Sequence, residues 1–457
     1  MKRREFLRQA GIGMLGMIAG GAAAANGGPR PKRPPNFLFV LTDQQRWDAV
    51  GAYGNRYVHT PNLDRMARNG VRFANSYVAQ AVCSPSRASI MSGLYPTSHL
   101  VIDNVYGIDD VTSMPEYNMA VTWPLLLQKA GYRTGWIGKW HLGERAPKCF
   151  DEWHGFNSLL PHWLGKPYES KYRSDAETDQ GLKFLEENRE RPFALCQSYY
   201  PPHTPYTAPK EHWKYYENSP LPGAMEYWAA CSDIDWNVGR LMAKLRDLDL
   251  LDSTVVMFTS DHGEQFGKRP GGENKRTAYD ESARVPLIFH HPVLARGGRI
   301  RREELVSNVD LMPTILEVAG VEAPTGLHGT SLVPLLQGEN VSWRDAVVIQ
   351  NRESMPLRRG KRDEGGCSSR AVRTKEWKLI LRDKLSVRAK KHRELYDMLH
   401  DPNERASLYG PERAGDIKPI LERLEAWAGA VEDAKALELA TACRKDLGLP
   451  TSAEVAR

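Results

Sequence analysis

Cysteine is scarce: the 457-residue chain holds six, and no two form a C-x-x-C pair. That spacing argues against a structural zinc site and against a dense disulfide framework. The first of them is Cys83, so a lipidated N-terminal cysteine is excluded as well. A strong excess of one sign of charge is lacking too. Lys and Arg number 62 against 56 Asp and Glu, a net charge of +6, and Lys2, Arg3, Arg4 and Arg8 set against Glu5 supply half of it. So small an excess suits an anionic substrate without identifying one, and it gives no case for nucleic acid. There is no internal repeat and no sustained heptad. With 41% hydrophobic, 26% charged and 9% aromatic residues, disordered, collagen-like and disulfide-scaffold classes fall away. What remains is a globular chain, long enough for two or three domains or for one large α/β domain with a smaller partner.

Residues 1–25 read as an export signal. A basic head, Met1-Lys-Arg-Arg-Glu-Phe-Leu7, precedes a weakly apolar middle from Gly11 to Ala25 that is too short and glycine-rich to span a bilayer. Arg3-Arg4 with Phe6-Leu7 resembles the twin-arginine variety, which implies the twin-arginine export machinery and a periplasmic or extracellular destination. The proline-rich basic stretch 26–35 then reads as a linker.

Short apolar runs follow, each ending in polar chemistry. Asn36–Leu41 leads into Thr42-Asp43-Gln44, Gly131–Ile137 into Gly138-Lys139-Trp140-His141, Phe193–Tyr200 into Pro201-Pro202-His203, and Thr254–Ser260 into Asp261-His262-Gly263. Each reads as a buried strand. Helical patterns lie between them, from Thr60 to Gly70, Thr122 to Gly131, Met225 to Leu248 and Asp310 to Ala319. The alternation predicts an α/β fold with a large, mostly parallel sheet flanked by helices. In such sheets the reactive crevice lies beyond the carboxyl ends of the strands.

Val82-Cys83-Ser84-Pro85-Ser86-Arg87 opens a further helix that Gly93 stops. Cys83 would stand at its N-terminus, where backbone N–H groups favour an anion, with Arg87 one turn on. A nucleophile beside an oxyanion site fits this placement, and so does a small buried cysteine in an ordinary helix. Cys83-Ser84-Pro85-Ser86-Arg87 resembles the sulfatase motif, whose Cys is oxidised to formylglycine (3-oxoalanine). Thr60-Pro-Asn-Leu-Asp64, Ser92-Gly-Leu-Tyr-Pro96, Gly138-Lys-Trp-His-Leu-Gly143, Thr259-Ser-Asp-His-Gly-Glu264, Arg284-Val-Pro-Leu-Ile288 and Glu394-Leu-Tyr-Asp397 extend the likeness over about residues 36–410.

The resemblance implies an alkaline phosphatase-like fold and a sulfuric ester hydrolase. It assigns Asp43, Gln44, Asp261, His262 and modified Cys83 to a divalent metal, calcium ahead of magnesium or manganese. Many sulfatases carry Asp where this chain has Gln44 and Asn where it has His262. The same resemblance implies that a hydroxyl of hydrated formylglycine attacks sulfur while His203 protonates the leaving alcohol. His141 then acts as base, Lys139 and Lys275 neutralise sulfate oxygens, and Arg87 holds the diol and supports the metal shell. Lys275 is chosen over Lys268 and Arg269 for its spacing to Tyr279 and Arg-Val-Pro. Asn104 is a substrate-contact candidate. A formylglycine-generating maturase and a sulfated small molecule or glycan are the implied partners. The competing readings are a phosphonate or phosphate diester hydrolase and a non-catalytic sulfoglycan-binding protein with unmodified Cys83.

The expected domains are a catalytic part at 36–343, a smaller C-terminal antiparallel-sheet subdomain at 344–440 and a tail at 441–457. Strands are expected at Ala346–Gln350, Ala371–Arg373 and Trp377–Leu381, with a helix from Ile417 to Ala434. The basic segment Arg358–Arg370 reads as a loop near the crevice mouth.

Overall fold

The computed structural model describes residues 33–269, 274–292, 294, 300–353, 367–385 and 391–451. The expected signal and residues 26–32 of the linker lie outside the described residues. So does 358–366 of the expected basic loop, while 367–370 already belong to a strand. Among the described residues no helix is long and apolar enough to cross a membrane.

Strands β1 Asn36–Thr42, β2 Val71–Tyr77, β3 Arg133–Lys139, β4 Glu152–Phe156, β5 Phe193–Tyr199, β6 Thr254–Ser260, β7 Leu287–His290 and β8 Ile300–Ser307 form one eight-stranded sheet. Their order is β4-β3-β5-β1-β6-β7-β2-β8. Only β7 runs against its neighbours β6 and β2, so the sheet is mixed and mostly parallel. Alternation along β1 shows why it is central. Phe37, Phe39 and Leu41 join an apolar layer with Trp123, Leu127, Met312 and Ile315. Leu38 and Val40 face the other way, against Leu63, Phe184, Ile234 and Leu241. A strand buried on both faces must be apolar throughout, which is how the run from 36 to 41 reads. β3 starts later than expected. Gly131 takes φ +91 and donates its N–H to Gln128 O, so it closes the preceding helix, and Lys139 becomes the last residue of the strand.

A second sheet holds β9 Ala346–Glu353, β10 Cys367–Thr374, β11 Trp377–Arg382 and β12 Arg393–Asp397, antiparallel in the order β12-β11-β10-β9. Val347, Ile349, Ala371 and Ile380 pack on Tyr77, Val78, Tyr279 and Val285 of the larger part. Val348, Val372, Leu379 and Leu381 pack on the helices Ala414–Ala430 and Ala434–Asp446. The second of these helices runs across the expected boundary at 440.

Candidate active site

Parallel register brings two acids to one spot. Thr42 pairs with Ser260 between β1 and β6, so the residues that follow leave the sheet side by side. Asp261 N–H donates to Thr42 O at 3.0 Å, and Gln44 N–H donates to Asp261 Oδ1 at 3.1 Å. Gly263 permits the next turn: a Cβ there would lie 2.1 Å from Glu281 O. Neighbouring β5 and β3 bring His203 and Lys139 to the same edge.

The helix Cys83–Ser92 points its N-terminus at this place, and every residue in it is buried. Val82, in extended conformation, offers no side-chain cap. Asn104 Oδ1 accepts from Ser84 N–H at 3.1 Å instead, and Ser84 Oγ donates to His141 O at 2.6 Å. Cys83 Sγ lies 3.1 Å from His262 Nε2, 3.2 Å from Lys275 Nζ and 3.7 Å from Asp43 Oδ1.

One turn along, Arg87 organises the carboxylates. Its Nε donates to Asp261 Oδ2 at 2.8 Å and its Nη2 to Asp43 Oδ2 at 3.2 Å. Nη1 donates to Lys139 O at 2.6 Å and Ser198 Oγ at 2.9 Å. Lys139 Nζ donates to Asp43 Oδ2 at 2.6 Å. Both acids therefore spend Oδ2 on cationic side chains and turn Oδ1 towards Cys83 or His262. The hydrogen bonds of Arg87 go to the acids and strand ends rather than to Cys83.

The donor set suits a divalent cation. Ligand atoms of Asp43, Cys83, Asp261 and His262 lie within 4.8 Å of one another, all in buried residues. His262 Nδ1 donates to Gly263 O at 2.9 Å, so in the neutral ring it is Nε2 that carries the lone pair towards the cluster, the form a ligand takes. Gln44 Oε1 is buried without a hydrogen-bond partner. Two carboxylates, an amide oxygen and an imidazole fit a hard or borderline ion.

Charge sets the protonation states. Burial pushes Asp43 upward, yet Lys139, His203, Lys275 and Arg87 outweigh it and hold the carboxyl well below its usual value. Burial and Asp43 oppose ionisation of Cys83, but Lys139, Lys275 and His262 bring the thiol down to about 7. Burial, then Lys139, holds His141 well below the usual imidazole value. Burial, then Lys275, does the same to His203.

The remaining expected residues surround the cluster. His203 Nδ1 donates to Thr204 O at 2.7 Å, and Lys275 Nζ reaches His203 Nε2 at 3.0 Å. Both ring nitrogens of His141 are buried without partners. Lys275, not Arg269, is at the cluster; Arg269 pairs with Glu281 at 2.7 Å. Four neighbours carried no role in the sequence reading: Ser198, which anchors Arg87; Tyr106, whose ring centroid is 5.1 Å from that of His141; and Glu264 with Tyr206, bonded at 2.7 Å. Glu264 alone had a signal, its place in the Asp261-His-Gly-Glu264 run.

A family model described as Sulfatase matches residues 35–321, and one described as N-sulphoglucosamine sulphohydrolase, C-terminal, matches residues 271–427. The chain is 28% identical to an N-acetylglucosamine-6-O-sulfatase of Bacteroides thetaiotaomicron, over 88% of each chain. It is 32% identical to human N-acetylgalactosamine-6-sulfatase, over 69% of this chain and 67% of that one. A solved structure of a protein in complex with its substrate D-glucosamine-2-N,6-O-disulfate is similar at TM-score 0.74 and 25% identity, covering 88% of this chain and 99% of the other. The phosphonate monoester hydrolase of Agrobacterium radiobacter shares the fold at TM-score 0.71 and 20% identity, covering 87% and 95%.

Proposed function

The chain belongs to the sulfatase family of sulfuric ester hydrolases, and from that premise we propose that it hydrolyses sulfate esters of carbohydrates, with residue 83 in its formylglycine form and a divalent cation. Calcium is favoured ahead of magnesium or manganese. One observation carries the reading: Cys83, at a helix N-terminus, lies within 3.7 Å of Asp43, His262 and Lys275 atoms. The sugar class is supported by the relatives above, two of them sugar sulfatases and one bound to a sulfated glucosamine.

Asp43, Gln44, Asp261 and His262, with residue 83, would hold the cation. The cation would polarise the sulfate, and the hydrated aldehyde would supply a hydroxyl nucleophile. The chain's own groups do the rest. Lys139 and Lys275 bring positive charge to the sulfate oxygens as charge develops on them. His203, now accepting from Lys275, takes up a proton as the anionic ester enters and gives it to the leaving oxygen. His141, kept neutral by burial and Lys139, is in the form a base needs. Arg87 holds both acids by Oδ2 and orients Oδ1 of each towards the cluster. Asn104 fixes the start of the nucleophile helix through Ser84 N–H, and its amide would contact bound substrate.

The N-terminal segment supports export through the twin-arginine machinery, and the Cys83 motif supports a formylglycine-generating maturase as a partner. Residues 36–343 are read as the catalytic part and the segment from 344 as its buttress. The fold likeness to a phosphonate monoester hydrolase favours a second reading, phosphonate or phosphate diester hydrolysis. Turnover of an aryl sulfate against an aryl phosphonate diester by the mature protein separates the two, with sulfate release expected to dominate. Peptide mass at Cys83 is the companion measurement. An unmodified thiol in protein from the native host would leave a sulfoglycan-binding protein.

A further inference from the structure

Glu264 is buried to 0% exposure behind the cluster. Its Oε2 accepts from Gln44 Nε2 and, at 2.7 Å, from Tyr206 OH. Its Oε1 accepts from Phe266 N–H at 2.5 Å. An ionised carboxylate accepts hydrogen bonds and donates none. The Gln44 amide must therefore turn its NH₂ towards Glu264, and its oxygen is left at the other corner of the planar amide, directed away from Glu264. That oxygen is the buried atom without a partner, on a residue whose backbone N–H is bonded to Asp261 Oδ1.

Charge balance points the same way. Arg87, Lys139 and Lys275 surround the two inner acids Asp43 and Asp261, an excess of positive charge before any cation arrives. Glu264 is a third carboxylate, one hydrogen bond behind Gln44, and a carboxylate polarises the amide it holds. We propose that Glu264 is a positioning residue for metal uptake: it locks the Gln44 side chain oxygen-first towards the cation and lends that oxygen negative charge. The inference rests on the metal-dependent reading above.

Titration calorimetry of calcium into chelator-stripped mature protein tests it. Glu264→Gln keeps one acceptor oxygen, enough for either Phe266 N–H or the Tyr206 and Gln44 side of the carboxylate, but loses the charge and no longer dictates the orientation of the Gln44 amide. Its calcium affinity is expected to fall about 10- to 100-fold, the usual range for such supporting groups. Near-UV circular dichroism of the stripped protein checks that the fold is kept. The exchange of charge, Gln44→Glu with Glu264→Gln, is expected to restore affinity to within about threefold of the parent, because the acid then stands at the ligand position and the amide behind it. Equal affinity for parent and Glu264→Gln, or a double variant as weak as the single one, overturns the inference. A parent that takes up no calcium, magnesium or manganese overturns the metal reading itself. Normal uptake without sulfate-ester turnover touches only the substrate reading.

Discussion

Asp43 and Asp261 each commit Oδ2 to buried cationic groups and turn Oδ1 to the cluster, where Asp261 Oδ1 also accepts from Gln44 N–H. Leaving either acid unpaired in such surroundings would cost several kcal/mol. Arg87 suits this post better than Lys would, since its planar fork serves two carboxylates, a carbonyl and a hydroxyl together. His203 faces a different demand. His203→Gln is expected to slow hydrolysis of an unactivated sugar sulfate by about 10²- to 10⁴-fold, and of 4-nitrophenyl sulfate by less than about tenfold, because a good leaving group needs no proton. Steady-state rates on the two substrates check this, and equal losses would argue against a general acid. At this scale the sequence was informative where a residue stands at or just past a strand end: Lys139 closes β3, Asp43 and Asp261 follow β1 and β6 directly, and His203 lies four residues beyond β5. Ser198 and Glu264 work through partners 111 and 220 positions away, and no local pattern announces such a bond.

The helix Arg173–Glu187 buries Glu177 against the sheet beside Gly138, with both carboxyl oxygens lacking hydrogen-bond partners. Burial, only partly offset by Arg173, pushes its carboxyl from 4.5 up to about 8. Folding therefore retains a proton that the unfolded chain releases. Stability from this group is full below pH 4.5 and is lost as pH rises through about 8. Glu177→Gln is expected to flatten that decline and to be roughly 2–3 kcal/mol more stable than the parent at pH 7.5, read from urea unfolding between pH 5 and 8.5. A parallel decline in both proteins would overturn it. Elements with one dominant signal were legible: β1, β5 and β6 are apolar throughout, and the helix Met225–Asp247 is long and amphipathic. β12 was not, because Arg393-Glu-Leu-Tyr-Asp397 is short and charged at both ends, and only its pairing with β11 makes it a strand.

The two sheets are joined by a buried ionic knot as well as by apolar packing. Lys378 Nζ on β11 meets Asp280 Oδ1 at 2.5 Å, Glu404 Oε1 at 2.7 Å and Ala278 O at 2.8 Å. Lys378→Met would strand two acids and is expected to destabilise the protein by about 3–5 kcal/mol, measured by denaturant unfolding at pH 7.5. The penalty should shrink near pH 5, where Glu404, raised by burial to about 7, takes up a proton. A penalty independent of pH would contradict this account. The knot also bears on the centre, for Asp280 lies five residues beyond Lys275 on the segment whose Ser282 O accepts from Gly263 N–H at 2.7 Å. Gln44 and Asp261, in turn, are 217 positions apart. A cation held by both would be a clasp across nearly half the chain, fastening strands that the unfolded polymer must bring together from afar. Removing it with a chelator is expected to lower the melting midpoint by several degrees in calorimetry, and an unchanged midpoint would contradict the clasp. Endurance and turnover would then depend on one ion, and a medium poor in that ion would shorten the protein's working life as well as slow its chemistry.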